Sequence, residues 1–344
     1  MSVVTADRVG AAPPGSRKAI GLVAGVVLLL AAIVLSIAVG SRWIPPAQIW
    51  NLLLHPDDGE LSAIVNGLRV PRTILGLAAG AALAVSGAVM QGLTRNPLGD
   101  PSLLGTSAGA GFGVIVSLNV IGLTSFYSYI WFGFAGALIA TVLVYYMASI
   151  GRGGPTPVKL ALSGAAIQVL FISMGSTLLL LNRVSLERYR FWLVGALTGV
   201  NMSVVLQVLP VLLIGLVLAL LTAPGLNALA LGDDVATSLG RNVGLIRIQG
   251  ALAVTLLTGA ATAVCGPIVF VGLVIPHAVR QLTGVDNRWV IAYSTLYGSV
   301  LLLLADILGR IVARPVEVQV GIVVAFVGVP FFIALIRRRR LAEL

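Results

Sequence analysis

The sequence predicts an all-α polytopic membrane protein of about ten transmembrane helices. Three observations carry that reading. Of 344 residues, 58% are hydrophobic and only 10% are charged, with a mean hydropathy of +1.04; a soluble domain covers its surface with about a quarter charged residues, so the solvent must be lipid. The charges are confined to short breaks between apolar runs. A short motif also recurs at a spacing expected of a duplicated bundle. This composition excludes a cytosolic enzyme, a nucleic-acid-binding domain and a secreted disulfide scaffold. The formal charge of +10 is explained by positive-inside topology rather than by a nucleic-acid partner. The lone cysteine, Cys265, permits no internal disulfide and no cysteine-based metal site.

A spanning helix needs roughly 20 mostly apolar residues. Stretches free of Asp, Glu, Lys and Arg cover 19–41, 73–94, 101–151, 160–182, 191–232, 248–279, 289–305 and 318–336. The first follows Arg17-Lys18 and is too long for a cleaved signal, so it reads as a retained helix. The run 101–151 holds two helices with a turn near Gly122 to Ser128. The run 191–232 holds one clear span at about 203–222, after an ambiguous lead-in at Phe191–Val200. The run 248–279 carries Gly266-Pro267 near its middle, where proline breaks the hydrogen-bond ladder; it reads as two short helices meeting at a bend.

With both ends inside, the cytoplasmic side collects 14 basic residues against eight outside, as the positive-inside rule requires. Arg337 to Arg340 close the last span. The chain then reads as one membrane domain, 1–344, with cytoplasmic tails at 1–18 and 337–344 and a cytoplasmic loop at 223–247.

The run Gly80-Ala81-Ala82-Leu83-Ala84-Val85-Ser86-Gly87 matches Gly259-Ala260-Ala261-Thr262-Ala263-Val264-Cys265-Gly266 at six of eight positions. The two fall on the second and seventh helices. Five crossings apart is an odd number, so they run in opposite directions, as in an inverted-topology repeat. Gly76/Gly80, Gly105/Gly109 and Gly109/Gly113 have the spacing that lets membrane helices approach closely. There is no GxxxxGK[ST] phosphate loop, so this chain cannot bind ATP in that way. His277 is the only ionisable candidate along the clear spans and Asp306 sits at the outer end of the ninth; both read as interface residues rather than relay groups. A path without ion-binding groups takes its energy from another protein.

In the cytoplasmic loop, Ala223-Pro224-Gly225 reads as the end of a helix. Asp233 reads as the N-cap of a short helix and Gly240 as its C-terminal stop. Such a helix along the inner face is either a docking knob or an ordinary connector.

Several runs, in order, resemble the permeases of the bacterial iron-siderophore, haem and cobalamin (FecCD-type) ABC importers. They are Arg69-Val70-Pro71-Arg72, Ser86-Gly87-Ala88-Val89-Met90-Gln91, Asn96-Pro97-Leu98-Gly99-Asp100-Pro101, Leu104-Gly105, Gly266-Pro267-Ile268-Val269-Phe270-Val271-Gly272-Leu273, Pro276-His277 with Arg280, and Ala305-Asp306-Ile307 with Arg310. The likeness spans about 20–336. It implies a type II ABC importer permease in the bacterial cytoplasmic (inner) membrane, with no cofactor and no catalytic or metal-binding residue of its own. It also implies a second permease subunit, identical or homologous, two cytoplasmic ATPase subunits that bind ATP, and an external binding protein.

The resemblance assigns residues as well. Gly232, Asp233, Asp234, Val235, Ala236, Leu239 and Gly240 match the segment that contacts the ATPase. Arg69, Arg72 and Arg310 match arginines that meet acidic residues of the binding protein, a pairing suited to the guanidinium fork. Asn96 and Leu98 match the loop that narrows the inner mouth, and Thr156 and Pro157 fall at a second constriction. There the run Gly153-Gly154-Pro155-Thr156-Pro157 departs from the hydroxyl-rich family version. The cargo reads as a ferric siderophore, with haem or cobalamin as the alternative on the same architecture. An ion-coupled secondary carrier is the competing class.

Overall fold

The computed structural model describes residues 15–40, 42–123, 125–151 and 156–342. The helices are α1 (Gly15–Ala38), α2 (Pro46–Leu54), α3 (Glu60–Ser62), α4 (Val70–Thr94), α5 (Thr106–Val116), α6 (Phe126–Ser149), α7 (Pro157–Leu180), α8 (Arg183–Leu193), α9 (Met202–Leu229), α10 (Asp233–Ser238), α11 (Val243–Cys265), α12 (Val271–Thr283), α13 (Asn287–Val312) and α14 (Val320–Ala342). Ten of these correspond to the expected spans. Among the described residues, seven are long and apolar enough to cross a membrane by themselves. Thr106–Ile121 and Val320–Ala334 are shorter apolar helices, and α12 has 13 residues.

The core is built where small residues let backbones meet. A Cβ on Gly109 or on Gly136 would overlap the other's carbonyl oxygen, which fixes the α5–α6 crossing. Gly80 and Gly298 stand in the same relation between α4 and α13. The glycine spacing read from the sequence therefore marks real helix crossings, in which packing replaces the absent hydrophobic drive.

The inverted repeat is visible in the packing. The contact of α4 with α13 is matched by α11 with α6, and that of α4 with α12 by α11 with α5. Likewise α5–α6 is matched by α12–α13, and α6–α7 by α13–α14. The first helix departs from the pattern: α1 lies along α13, whereas its counterpart α9 packs against both α11 and α4.

The expected bend is present. α11 ends at Cys265, Gly266 takes φ +72°, and Phe270 sits in the left-handed region at φ +69° before α12 begins. Non-helical backbone at this depth must find partners inside the protein. It does: Ala196 N–H donates to Cys265 O (2.7 Å) and Gly321 N–H to Gly195 O (3.0 Å). The ambiguous lead-in of the sequence is thus the end of α8 followed by an irregular stretch that joins α11 to α14.

Two expectations about helix ends are corrected. The second span does not start near residue 73: from Glu60 the helix runs through a wide π turn, Ala63–Arg69, into α4. Pro71 lacks an N–H to continue the ladder, and the wider turn takes up the break. Nor does Pro224-Gly225 end α9, which continues to Leu229. Ala223, Gly225 and Leu226 are buried, and Gly225 lies so close to Ile246 of α11 that a side chain would crowd it. Burial of that face outweighs a proline penalty of about 3 kcal/mol.

Candidate functional site

Among the described residues, ion pairs gather at the two ends of the bundle. One end holds the C-termini of α4 and α9, the short helix α10 and the start of α13. There Asp233 pairs with Arg247 (2.6 Å) and with Arg95 (3.2 Å). The expected N-cap role therefore falls away. Gly232, at φ +108°, precedes α10 without a side-chain cap, and the Asp233 carboxylate is drawn to two guanidinium groups instead. The Gly240 stop is as expected: at φ +74° it donates to Thr237 O (2.9 Å), while Arg241 N–H donates to Ala236 O (3.0 Å), a Schellman closure.

Ala236 anchors α10 in the core, whereas Leu231, Val235 and Leu239 are 62%, 45% and 62% exposed. Val235 and the C-cap residue Leu239 are four apart, the spacing of one helix face, while Leu231 lies in the turn before Gly232. Asp234 is exposed.

Asn227 ties the same end together. Its amide donates to Asp286 Oδ1 (2.7 Å), and its carbonyl oxygen accepts from both the backbone N–H (2.8 Å) and the side chain (2.9 Å) of Asn287. Burial alone would raise the Asp286 pKa. The hydrogen bonds from Asn227 and the Arg288 N–H, with the charges of Arg288 and Lys18, outweigh it and hold the carboxyl below the usual range.

The two gate segments lie at this end but not in one place. Asn96 Oδ1 accepts from Leu98 N–H (2.9 Å), forming the expected turn. Thr156 caps α7 by accepting from Lys159 N–H (3.3 Å), with Pro157 as its first residue. Asn96 borders a cavity between α4, α9, α12 and α13, whereas Pro157 borders a separate one beside Met90 and Leu93. Residues 153–155 lie outside the described residues.

The opposite end corrects the expectation for the arginines. Arg69 is 6% and Arg310 2% exposed, so neither offers a guanidinium to a partner. Arg69 donates to the carbonyls of Ile37 (2.7 Å), Ala38 (2.9 Å) and Arg42 (2.6 Å). Arg310 donates to those of Ser36 (2.6 Å) and Val39 (3.0 Å) and pairs with Asp306. Arg72 is bound to Asp306 and to Glu317 (2.7 Å each). The physical reason is that α1 ends inside the protein. Its last carbonyls have no intrahelical donors, and cations complement that end of the helix dipole. Asp306 is therefore not an interface residue but the buried counter-ion of two arginines. His277 is half-buried, edge-on to Phe331 at 5.9 Å. Asn227 and the Gln91–Arg280 contact were missed from sequence, because single polar residues in apolar runs give no periodic signal.

A bundle of apolar helices in an inverted repeat, broken where its backbone must be repaired internally and with its ion pairs at its ends, defines a multi-pass membrane permease. The chain belongs to the FecCD transport family, which it matches over residues 28–338. It is 42% identical over 325 residues to the Fe(3+)-citrate import system permease protein of Bacillus subtilis (strain 168), covering 94% of this chain and 96% of that one. It is 40% identical over 322 residues to the ferric enterobactin transport system permease of Escherichia coli (strain K12), with 94% and 96% covered. A solved metal-chelate type ABC transporter in an inward-facing conformation shares the fold with a TM-score of 0.81 at 26% identity, over 92% of this chain and 98% of that one. This is a transport subunit of the ABC importer class.

Proposed function

We propose that the chain forms half of the path by which a ferric siderophore enters a bacterial cell across the cytoplasmic membrane, with both termini inside. Its partners are a second permease subunit, two cytoplasmic ATPases that bind and hydrolyse ATP, and an external binding protein. The observation that carries the reading is the short helix α10, rooted by Ala236 and the Asp233 ion pairs, with Val235 and the C-cap Leu239 exposed and Leu231 exposed in the turn before it. An anchored apolar knob on a polar end suits a groove on a soluble ATPase. ATP-driven closure would push it and rock the bundle, with Asn96 and Leu98, and separately Thr156 and Pro157, narrowing the inner mouth.

The binding protein would meet the opposite end. The exposed Arg42 and Arg314 carry the charge there, while Arg69, Arg72 and Arg310 shape that surface from beneath. Reconstitution tests the proposal. Vesicles holding the permease with its ATPase and a ligand-loaded binding protein should accumulate ferric siderophore only with ATP. Uptake by this chain alone along an ion gradient would establish a secondary carrier. Selective retention of haem or cobalamin by the binding protein would change the cargo and leave the architecture standing.

A further inference from the structure

Among the described residues, no carboxylate pairs with the charge of Arg280. That residue lies half-buried near the end of α12, and its one hydrogen bond goes from Nη1 to Oε1 of Gln91. The Gln91 amide is held in that orientation because its nitrogen donates to Gly272 O (3.3 Å). Arg280 thus has a neutral acceptor and, among the described residues, no ion pair. Arg280 lines a cavity of about 270 Å³.

The rest of that cavity is of the same character. Arg95, Asn96 and Asn287 join Gln91 and Arg280 around it, Leu226 supplies an apolar wall, and among the described residues no carboxylate lines it. Two acids near the lining in sequence, Asp286 and Asp233, are committed elsewhere, and Asp234 is exposed on α10 outside the lining. Asp286 is held by Asn227 and the Arg288 N–H. Asp233 is shared between Arg247 and Arg95, so two cations divide one carboxylate and that trio keeps a net positive charge. A cation withdrawn from water without a counter-charge is costly. Here the half-buried Arg280 and the exposed Arg95, both forks for planar or tetrahedral oxyanions, line one space together with Asn96 and Asn287.

We propose that this cavity is an oxyanion site, taking a phosphate group between Arg280 and Arg95 with Asn96 and Asn287 as supporting donors. The group comes either from an anionic phospholipid of the adjoining leaflet or from a soluble phosphate. The site stands on the charges of this chain and does not depend on the cargo or on which face is cytoplasmic.

Thermal unfolding of the full chain in a neutral detergent tests it, titrating sodium phosphate against sodium chloride at equal ionic strength in one arm. The other arm titrates short-chain phosphatidylglycerol against short-chain phosphatidylcholine. Saturable stabilisation by phosphate supports a soluble ligand, and stabilisation by phosphatidylglycerol alone supports a headgroup. In either case R280Q should weaken the apparent affinity about tenfold or more, the loss of a charge-assisted contact. R280K should fall between, and R190Q, which breaks only the exposed pair with Glu187, should match the parent. If R280Q does not fold, R95Q replaces it with the same expectation. The proposal is overturned if neither ligand stabilises the parent beyond its control, or if the substituted chains respond as the parent does.

Discussion

Arg310 donates to the carbonyl of Ser36 across 2.6 Å, joining residues 274 positions apart and closing the C-terminus of α1 with a buried cation. With Arg69 on Ile37 and Ala38 and Arg314 on Gly40 (3.0 Å), three guanidinium groups do the work that a glycine cap does in water. The arrangement fixes the end of α1, whose start is held on α13 by Tyr297 donating to Gly21 O (2.8 Å).

Removing that cap should cost the fold rather than a docking interaction. R310M leaves two buried carbonyls without a donor and weakens the charge balance at Asp306, for a loss of about 3 kcal/mol or more. R310E should prevent accumulation of folded protein. Melting of the detergent-purified chain measures it, with R190Q as a control inside ~0.5 kcal/mol. Melting of R310M with the parent would show that the cap bears no load.

The α5–α6 crossing should tolerate no side chain. G109V and G136V each drive a side chain into the opposing carbonyl, and the expected loss exceeds about 3 kcal/mol. Gly67, with nothing within 4 Å, is the control: G67A should change the melting temperature little.

At Arg95, backbone and side chain can be separated. The residue sits at φ +50°, where glycine is easier by about 1 kcal/mol, and its ion pair with Asp233 is half-exposed and worth at most about that much. R95G should therefore be close to neutral, and R95A less stable than R95G by about 1 kcal/mol. Equal stability of the two would remove the strain from the account.

The α10 face should matter for assembly and not for folding. V235D and L239D should abolish co-purification with the ATPase while shifting the stability of the isolated permease by less than about 0.5 kcal/mol. Retained association at wild-type level would move the docking surface elsewhere.

Asp286 gives a pH signature. Its folded pKa is lowered, so its stabilising contribution is present above the unfolded value of about 3.9 and is lost as pH falls through the lower folded value. D286N should thus be less stable than the parent at neutral pH, and the gap should close in acid below about pH 4. A gap that persists there would assign the loss to the Asn227 contact alone.

The helix number, the Gly266-Pro267 bend and the glycine crossings were legible because each rests on a local rule: apolar length, a missing N–H, or the absence of a Cβ. The echo of 80–87 in 259–266 carried the inverted repeat for the same reason. The arginines were misread because a charge next to a span looks identical whether it faces water or a helix end buried within the protein. Only the position of Ser36 to Arg42 decides that, and it is a tertiary fact. Pro224 misled because burial of its neighbours against Ile246 outweighed the local penalty. The Asp233 role turned on Arg95 and Arg247, one of them more than 130 residues upstream.

The stitch between Ala196 and Cys265, with Gly321 bonded to Gly195, gives the bundle a common joint. α11 begins beside α10, spans 23 residues or roughly 35 Å, and arrives at this joint, where the start of α14 is also held. Sliding α11 alone would strip the main-chain bond from Ala196 to Cys265. A thrust delivered at one face of the sheet of lipids must therefore carry the Val194–Asn201 stretch and α14 along with it, as one lever turning on one pin.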